Sequence, residues 1–300
     1  MRRHVRFVSC AVGTAIALSS RVSAQSRIEI KISETNVSPE NLTASRDGSV
    51  YFGSTTKGTI YRAAPGASTA EPWILASSAG LTNVFGVLAD DRSNTLWVCQ
   101  NATGGRGGAP VVGQTALRSF DLRSGAAKGT YRFPPGSGVC NDIAIAHDGT
   151  AYVTESFGGR VHRLRPGAAT LDVWFSDSQT LNGVDGIAIL DDGAVYVNDF
   201  FSGKLFRIPV NSDGTAGTIV PLQASMPSTR ADGLRTVGLR TLVQAEGIGR
   251  VTELTVDGDR VQVRVLQEGL TGATGVTFVG DTLLALINRA SAVVVPYHRR

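Results

Sequence analysis

The chain has 300 residues, of which 42% are apolar and 18% charged, enough to bury a core and too little charge for a disordered segment. Glycine occurs at 35 positions, well above its usual share of about 7%, which suits many tight turns between short strands. The formal charge of +4 falls to zero once the four arginines of residues 1–24, a stretch without a carboxylate, are set aside, so nothing in the charge balance points to nucleic acid or an anionic membrane as a partner.

Residues 1–24 join a basic start, Met1 to Arg6, to an apolar run from Phe7 to Leu18 and to Val22-Ser23-Ala24 ahead of Gln25. That order predicts a secretory signal cleaved at a small-x-small site, and the apolar run is too short to span a bilayer. The expectation is a periplasmic or secreted protein comprising residues 25–300, with no membrane attachment after cleavage. Cleavage leaves Cys99 and Cys140, too few for a disulfide framework. A single bridge is possible in an oxidising compartment but is not favoured over two separate thiols.

From there the chain repeats itself. Leu81-Thr-Asn-Val-Phe-Gly86, Leu181-Asn-Gly-Val-Asp-Gly186 and Leu270-Thr-Gly-Ala-Thr-Gly275 are spaced by 100 and 89 residues, about two repeat units each, and periods of roughly 20 to 50 residues mark solenoids or propellers. Intermediate starts fall at Pro39-Glu40-Asn41-Leu42, Cys140-Asn141-Asp142-Ile143 and Ala231-Asp232-Gly233-Leu234, giving six units. Within units, Asp47-Gly48, Asp148-Gly149 and Asp192-Gly193 separate β-rich runs and predict hairpin turns. Third runs begin at Gly58, Gly159, Gly203 and Gly249, and outer runs lie around Trp73, Trp174 and Val261–Val265. Four-stranded units repeated around a channel predict an all-β, six-bladed β-propeller. The last unit ends after its third strand, so the segment 27–32 is expected to supply the missing outer strand beside Val293–Val295 and close the ring.

Aligning the six starts places Glu40, Phe85, Asn141, Asp185, Asp232 and Thr274 together at the channel mouth, although the acids lie up to 192 residues apart. Like charges so gathered raise one another's pKa, and a bound cation relieves the repulsion. The donors are oxygens, with no His or Cys pair at zinc spacing, which favours a hard ion such as Ca²⁺, with Zn²⁺ or Mn²⁺ as alternatives. Asn83, Glu155, Asn198, Asp199 and Glu246 fall at the same face, as supporting or substrate contacts or as solvated rim, and Phe157, Phe200 and Phe201 form an apolar wall or an exposed rim. The Gly-rich connection 101–115 is either a lid or a flexible insertion. His147 and His162 read as structural, and no Gly-x-Ser-x-Gly elbow supports serine hydrolase chemistry.

In the order and spacing of Ser38-Pro39-Glu40, Asn141-Asp142 and Asp232-Gly233, the chain resembles the senescence marker protein (regucalcin), gluconolactonase and luciferin-regenerating-enzyme family of six-bladed propellers, over nearly all of residues 25–300. The resemblance implies a metal ligand at Glu40, a metal-side or substrate-contacting amide at Asn141, and a metal-binding and catalytic acid at Asp232. Asp185-Gly186 departs from the family's commoner Asn-Gly, which adds a carboxylate and detaches the familiar sugar-lactone substrate from the inference. The resulting expectation is a lactonase-type hydrolase of a small molecule, with Glu40, Asp185, Asp232 and Asn141 at the metal, Asp232 and Asp185 catalytic, and Asn141, Asn83, Phe85 and Asp199 at the substrate. A non-catalytic binding propeller, or a propeller lyase or condensing enzyme, are the alternatives.

Overall fold

A computed structural model of the chain describes residues 29–103, 113–134 and 137–298. The expected signal segment, and residues 104–112 of the Gly-rich connection, lie outside the described residues. The Asp-Gly turns organise the hairpins. Asp47 Oδ1 accepts the Ser49 amide at 2.8 Å, Asp148 Oδ1 that of Thr150 at 2.8 Å and Asp192 Oδ1 that of Ala194 at 3.0 Å. Gly48, Gly149 and Gly193 supply φ values of +91°, +88° and +74°, which only a residue without Cβ adopts freely.

Six antiparallel units result. Unit 1 comprises Leu42–Ala44, Val50–Gly53, Ile60–Ala63 and Thr69–Ile74; unit 2 Asn83–Asp90, Thr95–Asn101, Ala116–Asp121 and Ala127–Arg132; unit 3 Val139–Ile145, Ala151–Ser156, Arg160–Leu164 and Asp172–Ser176. Unit 4 runs through Val184–Ile189, Val195–Asp199, Leu205–Ile208 and Val220–Pro221; unit 5 through Ala231–Gly238, Thr241–Glu246, Arg250–Asp257 and Arg260–Gln267; unit 6 through Gly275–Val279, Thr282–Ile287 and Ser291–Val295. Among the described residues the one helix is the single turn Ala76–Ala79.

Unit 6 takes its fourth strand from Glu29–Ile32, antiparallel to Ser291–Val295 with Glu29 opposite Val293. The same strand also runs parallel to Thr69–Ile74, with Lys31 opposite Thr69, a pairing that the repeat pattern does not announce. Units 1 and 6 thereby become one eight-stranded sheet, while the other units remain separate sheets. The first strands of consecutive units touch in sequence, and that of unit 6 touches that of unit 1. The core has the same order. Six apolar clusters each lie between two consecutive units: Val84 and Val98 pack on Tyr51 and Ile60, for example, and Leu284 and Leu286 of unit 6 pack on Leu42 and Phe52 of unit 1. Strands buried on both faces explain the near-continuous apolar runs of the sequence.

The preference against a Cys99–Cys140 bridge is corrected, since the two residues form a disulfide. They lie on the facing sides of units 2 and 3, in the one apolar cluster between them, with Cα atoms 5.2 Å apart, within the range a bridge requires. Closing a loop across a separation of 41 residues restricts the unfolded chain by about 4 kcal/mol. Replacing both cysteines by alanine is expected to lower the unfolding free energy in urea by about that amount while the far-UV circular dichroism keeps its β signature.

Candidate metal centre

The site begins as a backbone irregularity that four units share. In unit 3, Cys140 faces Glu155 but Ile143 faces Val153, three residues against two, so Asn141 and Asp142 drop out of the ladder. Unit 4 does the same between Val184 and Ile187, unit 5 between Ala231 and Leu234, and unit 2 between Val84 and Val87. Each bulge frees one mouth residue, Phe85, Asn141, Asp185 or Asp232, and aims it away from the sheet. Thr274 sits immediately before the first strand of unit 6, and Glu40 two residues before that of unit 1.

The residue after each mouth position meets the neighbouring unit. A Cβ on Gly86 would stand 2.2 Å from the Asn141 carbonyl oxygen, one on Gly186 2.5 Å from that of Asp232, and one on Gly233 2.7 Å from that of Thr274. No side chain fits these gaps, which is why glycine follows Phe85, Asp185 and Asp232. The bulges are held by side chains of the second strands. Thr154 Oγ1 accepts the Asp142 amide at 2.9 Å and donates to the Asp185 carbonyl at 2.6 Å; Asn198 accepts the Gly186 amide at 2.8 Å and donates to the Asp232 carbonyl at 2.6 Å.

Glu40, Asp185 and Asp232 converge with one oxygen each within 4.8 Å of the others, all three buried. Asn141 Nδ2 donates to Asp185 Oδ2 at 3.0 Å and to Ser156 Oγ at 2.9 Å. Glu40 Oε2, Asp185 Oδ1, Asn141 Oδ1 and Thr274 Oγ1 are buried without a hydrogen-bond partner. Buried oxygens left bare are costly, and five oxygen-bearing groups without a bonded cation among them fit a hard metal ion, so the triad could hold one. Burial first, then the Asp142 charge, pushes the Glu40 carboxyl up to about 8. Burial and then the neighbouring acids raise Asp185 and Asp232 well above the ordinary carboxylate range.

Beneath the triad lies a layer that the repeat alignment does not reveal. Arg235 Nη1 donates to Asp142 Oδ2 at 2.7 Å and Nη2 to Asn41 Oδ1 at 3.1 Å, while Asn41 Nδ2 donates to Asp142 Oδ1 at 3.0 Å. The guanidinium therefore closes the axis between the triad and a cavity of about 290 Å³ at the far end, lined by Leu88, Ile143, Ile187 and Leu234. The available signal was a column in the alignment: three residues after each mouth position stand Thr43, Leu88, Ala144, Ala188, Arg235 and Thr277, and the arginine is the one charge.

The remaining expected site residues divide. Asn83 and Phe85 are half-buried at the mouth, with Asn83 Oδ1 lacking a partner. Asp199 is turned into its own loop, accepting the Gly183 amide at 2.6 Å and the Ser202 amide at 2.7 Å. Glu155 accepts the Gly138 amide and pairs with Arg160 and His162; Glu246 accepts the Thr229 amide and pairs with Arg250. These three acids hold the loops that lead into the first strands. His162 is fully buried against Phe133, and Asp47, Asp148 and Asp192 stay in their turns.

No protein-family model and no curated protein matches the chain. Solved structures do, at the level of fold. A gluconolactonase from Xanthomonas campestris aligns at 17% identity over 86% of each chain with a TM-score of 0.63. Luciferin-regenerating enzyme aligns at 13% identity over 90% of this chain and 97% of its own, TM-score 0.65, and a streptogramin B lyase at 14% over 89% and 97%, TM-score 0.60. These are propeller-type folds, and the first two belong to the group that the sequence motifs resemble.

Two outcomes follow from the site's electrostatics. The folded protein without metal holds protons that the unfolded chain releases near the ordinary glutamate value of 4.5, so its stability is expected to fall as pH rises from about 5 towards about 8. Thermal unfolding across that range in chelator should show the decline, and a divalent cation should abolish it. Separately, Arg235→Met leaves Asp142 buried and unpaired, which is expected to cost about 3 to 5 kcal/mol in urea unfolding, whereas the double variant with Asp142→Asn should recover most of the loss.

Proposed function

We propose that the chain is an exported, metal-dependent hydrolase of the lactonase type, working at the mouth of a closed six-bladed β-propeller. The observation that carries the reading is the acid triad of Glu40, Asp185 and Asp232, buried and mutually close, with Glu40 Oε2 and Asp185 Oδ1 bare. The cyclic order of the six inter-unit clusters supports the closed ring, and the gluconolactonase among the structural neighbours supports the reaction class. The signal-like residues 1–24, together with a disulfide that suits an oxidising compartment, support export to the periplasm or beyond.

Glu40, Asp185 and Asp232 would hold the ion, with Asn141 Oδ1 beside them; the all-oxygen set favours Ca²⁺, and Zn²⁺ or Mn²⁺ are the alternatives. A divalent ion there supplies Lewis-acid polarisation of the substrate carbonyl. Asn141, Asn83 and Phe85 orient a lactone or ester over the triad. Asp232, whose Oδ1 is fixed by the Gly233 amide at 2.9 Å, takes a proton from the attacking water as its oxygen bonds to the carbonyl carbon. The acyl C–O bond then breaks, and the proton passes to the departing alkoxide, giving a hydroxy acid from a lactone. Asp185 shares the charge of the site. The streptogramin B lyase likeness favours elimination at the same mouth as a second reading, which leaves an unsaturated product in place of a hydroxy acid.

Metal analysis of the purified protein, followed by a lactone and ester panel with and without chelator, tests the reading. Asp232→Asn is expected to lose about 10² to 10⁴-fold in turnover at saturating metal. Asp185→Asn should bind metal more weakly and stay active, and Asp148→Asn, in a distant turn, should match wild type. Wild-type turnover in Asp232→Asn removes the catalytic assignment, and a protein that carries no metal and hydrolyses nothing removes the hydrolase reading.

A further inference from the structure

The corners that join second to third strands surround the mouth, and they are unlike one another. Unit 3 presents Phe157, 64% exposed, unit 4 Phe201, 62% exposed, and unit 5 Ile248, 51% exposed. The corners of units 6 and 1 instead carry Asn288-Arg289 and Thr55-Thr56-Lys57. Phe157 and Phe201 lie with ring centroids 6.3 Å apart, and Phe200 meets Phe201 edge-on at 5.6 Å. Scattered exposed apolar residues need no explanation, but phenylalanine rings that meet across the corners of consecutive units form a patch.

Two observations tie this patch to the triad. Phe157 follows Ser156, whose Oγ accepts the Asn141 amide hydrogen, and the Phe201 ring rests on Gly183, with a ring atom 2.4 Å from where a Cβ would stand, two residues before Asp185. Phe157 also holds a φ of +66°, the one aromatic side chain among the described non-glycine residues in the left-handed region. Such a conformation is disfavoured for a bulky residue, and the exposed ring gains little packing in return. The fold would be served better by the glycine that follows.

We infer that Phe157 and Phe201, backed by Phe200, form the subsite for an aryl or branched-alkyl group carried next to the scissile carbonyl, so that the enzyme prefers apolar-substituted lactones or esters to polyol lactones. This inference rests on the hydrolase reading for its carbonyl, and the subsite is tested apart from it.

The test compares γ-phenyl-γ-butyrolactone with unsubstituted γ-butyrolactone and with a polyol lactone, in wild type, Phe157→Gly, Phe201→Ala and Leu239→Ala. Leu239 is an exposed leucine at the opposite end of unit 5. Wild type is expected to favour the phenyl lactone in kcat/KM by about tenfold or more, the value of burying much of one aromatic ring. Phe157→Gly and Phe201→Ala should each lower that ratio by about tenfold, with Phe157→Gly melting no lower than wild type, and Leu239→Ala should leave the ratio as it is. A ratio near one, or one that survives both phenylalanine variants, overturns the subsite. If no lactone or ester is hydrolysed the hydrolase reading fails instead, and calorimetric titration decides the subsite: binding of the phenyl lactone that both variants lose supports it, and equal binding of all three lactones overturns it. A wild-type dimer in sedimentation that Phe201→Ala converts to monomer also overturns it, since a second copy of the chain would then cover the patch.

Discussion

Neighbouring first strands approach so closely that the residue after the aligned position has no room for a Cβ in three of six units. That steric constraint shapes the centre of the molecule. It selects glycine after Phe85, Asp185 and Asp232, and the bulges beside those glycines lift those three side chains out of the ladder. Where a polar side chain replaces glycine, at Asn41 and Asp142, the two meet across the intervening unit and bond to each other. The acid triad is thus a consequence of packing: strands that converge at the axis bring together carboxylates that sequence separates widely.

Parts of this were legible from the residues because their causes are local. An Asp-Gly pair fixes its own turn through one side-chain acceptor and one positive φ, so the hairpins at Asp47, Asp148 and Asp192 could be read from two letters each. The mouth positions could be read because the same bulge recurs at the same place in the repeat. Arg235 could not be read so directly, since its partners Asp142 and Asn41 lie 93 and 194 residues away and only the packing of the first strands makes them neighbours. The disulfide is similar: spacing along the chain says nothing about which faces of adjacent sheets oppose. Asp199 shows the converse. An acid at the mouth suggests a substrate contact, but the amides of Gly183 and Ser202 already occupy its oxygens, and only the loop's path reveals that.

The second strands explain how a strained centre is tolerated. Each bulge leaves a backbone amide without a ladder partner, and a buried amide without one is expensive. Thr154 and Asn198 accept these amides and donate onward to the carbonyl of the next unit's acid, so one side chain both satisfies the irregularity and sets the position of a neighbouring carboxylate. Glu155, Asp199 and Glu246 do the equivalent for the loops entering the first strands. The carboxylates of the triad therefore rest on bulges whose freed amides at Asp142 and Gly186 are satisfied, while Glu40 Oε2, Asp185 Oδ1 and the neighbouring Asn141 Oδ1 and Thr274 Oγ1 are left bare.

The placement of Arg235 then bears on what the triad is for. A guanidinium on the axis, one layer higher, would lie among Glu40, Asp185 and Asp232 and neutralise part of their charge; the site would then be a stable ion-pair network with little attraction for a cation. Instead both its terminal nitrogens are engaged by Asp142, Asn41 and backbone carbonyls, and Asp142 is fully buried beside it. That pair balances itself, and in a low-dielectric interior a satisfied ion pair has little residual pull on its surroundings compared with an unpaired charge. The Asp142 charge even adds to the rise in the Glu40 and Asp185 carboxyls. The charge of Arg235 is answered by Asp142 below the triad, and the three carboxyls above it, raised by burial and by one another, are left to protons or a metal ion for their balance.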